Sequence, residues 1–323
     1  MTNSYRQLTE EQRCQIWALK KSEWSQRAIA REIGVSQPTI CRELARNRGR
    51  KGYRYKQAQR MTEERCRQAR RPTKMLPKTI ALIESKLKLQ WSPEQVSGWL
   101  DLEEGLSISH ETIYLHIWAD MQRGGTLYEN LRRRDRPYNK RANGKSTRGH
   151  IKNAISIEQR PQVVDDKSRI GDWEIDTVIG KGHSGALVTI VDRKSKFTLS
   201  QQVERKTAEL VAQATIALLE PYRHLVHTIT ADNGKEFALH EKISEALDAQ
   251  VYFAHPYSSW ERGLNENTNG LLRQYFPKKT DFKLINQADV RAAIERLNNR
   301  PRKTLGYKTS RQIMGEYTAA IAA

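Results

Sequence analysis

The chain has 323 residues, with 56 Lys plus Arg against 37 Asp plus Glu, a formal charge of +19 and a pI near 9.9. An excess of that size repels itself in the folded state unless a polyanion neutralises it, so nucleic acid is the expected partner and a small-molecule metabolic enzyme is disfavoured. No apolar run approaches the roughly 18 residues of a membrane span, residues 1–13 carry no apolar leader core, and the three scattered cysteines, Cys14, Cys41 and Cys66, disfavour a disulfide scaffold or Cys-rich zinc finger, so a cytoplasmic protein with no membrane partner is expected.

The charge is unevenly shared. Residues 1–160 hold 33 Lys/Arg and 17 Asp/Glu, a net of +16, whereas 161–323 hold 23 and 20, a net of +3. At roughly 100 to 200 residues per domain, two or three domains with different tasks are expected.

Across residues 8–47 the apolar spacing is helical, through Ile16, Trp17, Leu19, Ile29, Ile33, Ile40 and Leu44. Ser25 can cap a helix running to Ile33. Gly34 can take the positive φ of a tight turn, and Ser36 can cap a second helix with Pro38 in its first turn. Ala30, four residues before Gly34, suits the close crossing of two helices, and Ile40 supplies an apolar anchor. Residues 1–50 thus read as a helix-turn-helix. Its second helix would present Gln37, Thr39, Arg42 and Arg46 to a DNA major groove. A merely solvated helix face is the competing reading.

Residues 48–78 carry twelve Lys/Arg and only two acidic residues, Glu63 and Glu64, with Tyr53 and Tyr55 interleaved. Such a stretch reads as a phosphate-tracking arm or helix, with a flexible charged linker as the competing reading, and 51–90 is assigned as a basic arm or linker. A second helical unit spans 91–130: Ser92, Pro93 and Gln95 make a capping-box start, and Ser109 can cap a helix carrying Ile113, Tyr114, Ile117 and Trp118. It is either a second helix-turn-helix or an assembly and spacer unit. His110 and His116 lack partners at zinc spacing and read as surface residues. Residues 131–160 read as a basic linker.

From Ile170 the period changes to two, and Asp172, Glu174 and Asp176 fall on one strand face. Further strands are expected at 186–191, 197–203, 228–230 and 250–254, with helices at 207–219 and 236–247 between the later ones. Three antiparallel strands followed by alternating helices and strands imply an α/β domain with a mixed sheet over 161–323. Asp232 sits at a strand end in Ala231-Asp232-Asn233-Gly234. Glu266 lies on a helix opened by a Ser258/Glu261 capping box and reaching Tyr275, with Trp260, Leu264, Leu271 and Tyr275 as its buried stripe. A helix around Val290, Ile294 and Leu297 reads as core or interface.

The strings Trp173-Glu174-Ile175-Asp176, Ala231-Asp232-Asn233-Gly234-Lys235-Glu236-Phe237, His255-Pro256-Tyr257-Ser258-Ser259-Trp260-Glu261-Arg262-Gly263, Asn265-Glu266-Asn267 and the closing Asn299-Arg300-Pro301-Arg302-Lys303-Thr304-Leu305-Gly306-Tyr307 resemble transposases of the insertion-sequence thirty family. The spacing also agrees, with 55 residues between Asp176 and Asp232 and 33 between Asp232 and Glu266. The resemblance implies a multidomain protein with an all-α helix-turn-helix N-terminal region and an RNase H-like, integrase-type catalytic domain. It further implies Asp176, Asp232 and Glu266 as a DDE catalytic triad binding two Mg²⁺ ions, with Mn²⁺ able to replace them, and duplex DNA as partner, both terminal inverted repeats and target. Strand cleavage and strand transfer by a homo-oligomer assembled on the DNA would follow. The competing functions are a helix-turn-helix regulator with an inactive nuclease-like domain and a stand-alone RNase H-type nuclease.

Overall fold

The computed structural model describes residues 7–68, 74–132, 151–256 and 258–322. The chain divides into two compact units, Met1–Thr73 and Lys74–Ala323.

The first unit opens with α1 (Glu10–Lys21), started by a reciprocal capping box between Thr9 and Gln12. In α2 (Gln26–Ile33) the Ser25 hydroxyl accepts from Ala28 N, and the helix ends at Gly34 in the left-handed region, φ 73°. A side chain there would be strained, so the glycine sets the turn into α3 (Gln37–Arg46). Ile16, Ile29, Ala30, Ile40 and Leu44 close the core between the three helices.

The region read as an arm or linker is largely folded. Residues 48–53 form a two-strand hairpin, β1 (Arg48–Gly49) and β2 (Gly52–Tyr53), and α4 (Tyr55–Gln68) returns to pack on α1. Tyr53 is buried rather than facing a phosphate chain, and its hydroxyl donates to Glu43 Oε1 at 3.0 Å. Glu43 also takes Arg13 Nε at 2.9 Å, and Arg13 reaches Gln59 Oε1 at 2.8 Å. The inner face of α3 is therefore fixed by a polar network as well as by Ile40 and Leu44. α4 is the helical alternative for this stretch, and its bounds are not legible in the sequence because Ala58 is the side chain it buries, so no apolar stripe interrupts its charges.

The second unit begins with α5 (Pro77–Lys88), which lies inside the expected arm and was missed, although Ile83 and Leu87 stand at i, i+4 behind a first-turn proline. It packs with α6 (Pro93–Glu104) and α7 (His110–Gln122) around Ile83, Leu87, Trp91, Val96, Leu100, Ile113 and Ile117. The Ser92/Gln95 capping box and the Ser109 cap form as read. Trp118 does not join this core and is 58% exposed. His116 is not free on the surface, its ring lying 2.9 Å from Glu84 Oε1. Residues 74–132 hold six Lys/Arg against eight Asp/Glu, so the positive charge of the first half lies elsewhere.

Of the linker expected at 131–160, residues 133–150 lie outside the described residues. The chain resumes into β3 (Ile155–Ser156), α8 (Gln162–Asp166), β4 (Asp172–Ile179), β5 (Ala186–Asp192), β6 (Thr198–Val203), α9 (Ala208–Leu219), β7 (Thr228–Ala231), α10 (His240–Leu247), β8 (Gln250–Phe253), α11 (Gly263–Leu272), α12 (Gln287–Asn298) and α13 (Ser310–Ala322). The strands form one six-stranded mixed sheet in the order β3-β8-β7-β4-β5-β6. β4, β5 and β6 are antiparallel, while β4, β7, β8 and β3 run parallel, as a β-meander followed by crossover helices requires. One face, with Trp173, Ile175, Val188 and Ile190, packs under α9 and α10. The other, with Val178 and Leu187, packs under α11 and α12 through Leu271, Leu272, Val290 and Leu297. Alternation along β4 therefore turns Asp172, Glu174 and Asp176 toward α11.

The closing string at 299–309 docks onto α6. Gln95 Nε2 donates to Pro301 O at 2.9 Å, Lys303 Nζ pairs with Glu94 at 2.7 Å, and the Tyr307 ring lies over Gly98, where any side chain would collide with it. The helical unit and the sheet are thereby joined within the second unit.

Candidate active site

Parallel pairing sets Asp172 opposite Thr228 and Glu174 opposite Thr230, an offset of 56 positions. The same offset sets Asp176 level with Asp232, one step past the end of β7. The two carboxylates thus stand abreast on neighbouring strands, which accounts for their separation in sequence.

The three acidic residues on the β4 face have different fates. Asp172 is buried and takes both Arg169 Nε at 2.9 Å and Nη2 at 3.0 Å. Glu174 is buried against Arg193 Nη1 at 2.9 Å and accepts Asn265 N, at the start of α11, at 3.0 Å. Burial pushes its carboxyl up, and Arg193 opposes the shift. Asp176 alone reaches the half-open edge of the sheet. Its Oδ1 accepts Thr177 N at 2.8 Å and its Oδ2 accepts Asn269 Nδ2 at 3.0 Å. Burial lifts the Asp176 carboxyl above the ordinary range; the Arg262 guanidinium pulls it down and Asp232 pushes it further up.

Asp232 Oδ1 is held by Gly234 N at 2.9 Å. Between the two aspartates lies Arg262, with Nη2 3.2 Å from Asp232 Oδ2 and Nη1 3.5 Å from Asp176 Oδ2. Nη1 also donates to Ile175 O at 3.1 Å. A fifth carboxylate, Glu236, pairs with Lys206 Nζ at 2.5 Å and accepts from Thr177 Oγ1 at 3.1 Å.

Glu266 lies in the first turn of α11, half-buried. It precedes Asn269 by three residues, so the two share a helix side. Asn269 both donates to Asp176 and accepts Thr189 Oγ1 at 3.0 Å, which pins that side of α11 to β4 and β5. Among the described residues, no group of three or more His, Cys, Asp or Glu is close enough to hold a metal ion. The structure therefore unites Asp176 with Asp232 around Arg262 and puts Glu266 on the adjoining helix, without drawing the three into one cluster.

The helix carrying Glu266 is shorter than expected. Residues Ser259–Arg262 form a separate 3₁₀ turn, and Ser258 makes no side-chain cap. Glu261 is drawn away to His255, accepting from its backbone N and its Nδ1, both at 2.8 Å, which raises the imidazole pKa. The tighter turn throws Trp260 out to 74% exposure, and the buried stripe of α11 is instead Asn265, Thr268, Leu271 and Leu272.

In the first unit Gln37, Arg42 and Arg46 are exposed on α3, and the half-buried Thr39 is 2.8 Å from the Ser36 hydroxyl. Arg42 and Arg46 share one cleft of about 530 Å³ with Arg65 of α4, a residue absent from the sequence-based set. A second cleft gathers Lys20, Lys21, Arg50, Lys51, Arg54, Lys56 and Arg60 with no acidic residue, so the charge read as an arm lies on a folded surface.

Residues 4–47 match a helix-turn-helix domain family and residues 166–259 an integrase core domain family, a span that contains Asp176 and Asp232 and ends before Glu266. The chain is 44% identical over 321 residues to the transposase for insertion sequence element IS4351 of Bacteroides fragilis, covering 98% of both chains. It is 37% identical over 322 residues to transposase InsI for insertion sequence element IS30A of Escherichia coli K12, covering 95% of this chain and 83% of that one. Among solved structures it aligns with the catalytic core domain of BIV integrase at 21% identity and a TM-score of 0.39, covering 47% of this chain and 99% of the other.

Proposed function

Because the chain belongs to the IS30 family of insertion-sequence transposases, we propose that it binds the terminal inverted repeats of its element through the first unit and cuts and joins DNA strands at the Asp176/Asp232 edge of the sheet. The observation that carries this reading is the convergence of two carboxylates, level on adjacent parallel strands, upon a single cation.

The donor set fits a hard divalent ion. Oxygen ligands suit Mg²⁺, which takes few protein carboxylates and keeps its remaining positions for water and phosphate oxygens, and the gap between Asp176 and Asp232 already accepts a positive group. Asp176, Asp232 and Glu266 would hold the metal, with Mn²⁺ as a substitute. When bound, the ions supply Lewis-acid activation of the attacking oxygen and charge stabilisation of the leaving one. The chain's own contribution is positional. Asn269 orients Asp176 from α11, Gly234 N orients Asp232, and the Glu236–Lys206 pair is tied to Thr177, the next residue along β4. Water is the nucleophile in cleavage and a freed 3′-OH in joining, so no covalent enzyme intermediate is needed. Two ends must meet for joining, which calls for a homo-oligomer on the DNA, acting in the cytoplasm.

The paired aspartates favour this reading over a regulator with a dead nuclease fold. Duplex carrying the terminal repeats should be nicked and joined in Mg²⁺ or Mn²⁺ and left intact in EDTA. Tight, selective binding with no cleavage in either metal would make the protein a regulator, and degradation of RNA–DNA hybrid in preference to repeat duplex would make it an RNase H-type nuclease.

End recognition is assigned to Gln37, Thr39, Arg42 and Arg46. Residues 1–73 hold 18 Lys/Arg and seven Asp/Glu, whereas 74–132 is net acidic. Replacing Arg42 and Arg46 together by Ala should weaken end binding and lower the slope of log affinity against log salt by about two. An unchanged slope would leave this face merely solvated.

A further inference from the structure

We propose that Arg262 is a resident counter-ion that competes with the divalent metal: it occupies the cation position between Asp176 and Asp232 in the metal-free protein and must withdraw for the ion to enter. The inference rests on the metal-site reading given above.

Two carboxylates held side by side cannot both ionise without a nearby positive charge. Arg262 supplies it, one guanidinium nitrogen toward each aspartate, with its side chain 10% exposed. A divalent ion on the same two carboxylates would stand next to that guanidinium, and two like charges in a half-buried site repel strongly. One of them has to leave.

The way Arg262 is held shows which. Arg193, a few residues along the same sheet, is a fixed structural arginine: its Nε donates to Val164 O at 3.0 Å, Nη1 to Glu174 at 2.9 Å and Nη2 lies 3.4 Å from Asp165. Arg262 Nε is buried with no hydrogen-bond partner, and the guanidinium is held by the two aspartates and the Ile175 carbonyl, with the Glu174 charge also felt there. A guanidinium left partly unsatisfied is cheaper to displace than one with every donor engaged. It also sits at a joint. The 3₁₀ turn Ser259–Arg262 ends on it, α11 begins at the next residue, Gly263, and an added Cβ on Gly263 would meet nothing within 4 Å. The backbone there has room to carry the side chain outward.

Isothermal titration of Mn²⁺ into the full-length, DNA-free protein decides the matter. Arg262→Gln should bind Mn²⁺ roughly tenfold more tightly than wild type, because the competing charge is gone. Its melting temperature without metal should fall, and the rise on adding Mn²⁺ should exceed that of wild type. An arginine of purely structural importance would lower the melting temperature with no gain in affinity, which would overturn the proposal. Arg262→Lys covers the case in which the glutamine variant does not fold. Its ammonium is a point charge that spans two carboxylates less well than a planar fork, so a severalfold gain in Mn²⁺ affinity is expected and equal affinity counts against competition. If wild type and variants are all folded and none binds Mn²⁺, the metal-site reading itself fails. If wild type binds as tightly as Arg262→Gln, that reading stands and the competition is wrong.

Discussion

Asp176→Asn and Asp232→Asn should each bring Mg²⁺-dependent cleavage and joining down by about 10³-fold or more, with binding to repeat-bearing duplex essentially unchanged. Asparagine keeps the shape of the side chain and removes the charge that a hard cation requires. On the proposed division of labour end binding falls to the other compact unit and should not notice the change. Glu266→Gln is expected to match them, and it is the more searching test, since Glu266 stands on α11 rather than in the Asp176/Asp232 pair. Full activity in Glu266→Gln would remove it from the catalytic set and leave the two aspartates as the site. Asp172→Asn serves as the contrast: its carboxylate is committed to Arg169 and Thr228, and cleavage by the folded variant should persist.

Glu174→Ala should be costly to stability, by about 3 to 5 kcal/mol, because it leaves the buried Arg193 guanidinium without its closest carboxylate. It also removes the acceptor for Asn265 N, loosening the start of the helix that carries Glu266. Burial lifts the Glu174 carboxyl even with Arg193 beside it, so the pair does not recover the whole desolvation cost. Losing one member is thus far worse than never having had either. Urea unfolding of Glu174→Ala and Asp176→Asn, read side by side, separates the two acidic positions. A large loss for the first and a small change for the second is expected; equal losses would mean that Asp176 is as structural as its neighbour.

That separation marks the limit of what the residues alone disclose. Alternation put Asp172, Glu174 and Asp176 on one face, and the face is as expected, but the choice among them depends on Arg169, Arg193 and Asn265. Arg193 and Asn265 lie far along the chain, and pairing across that distance leaves no periodic trace. The motif resemblance singled out Asp176 where periodicity could not. Arg262 stands inside a quoted string and Asn269 two residues beyond another, both without a role there, since only the folded sheet brings them to Asp176. Local chemistry was legible wherever it was local: Ser25, Gly34, Ser92 and Ser109 begin or end helices as their types suggest. It misled at Ser258 and Glu261, where a competing partner, His255, took the carboxylate. At α4 it left arm, helix and linker open, because a helix that buries little more than an alanine shows no apolar period.

The inner side of α3 is tied down by Ile40, Leu44 and the contacts of Glu43 with Arg13 and Tyr53, while Gln37, Arg42 and Arg46 take no part in that attachment. Glu43, which anchors the helix, lines the same cleft as Arg42 and Arg46, so the attached and the exposed side chains of α3 lie close together. If the exposed side chains read the ends as proposed, substitutions confined to Gln37, Arg42 and Arg46 should change the DNA address while leaving the core contacts of Ile40 and Leu44 in place. The same division makes those outward positions a place to randomise when a new DNA address is sought.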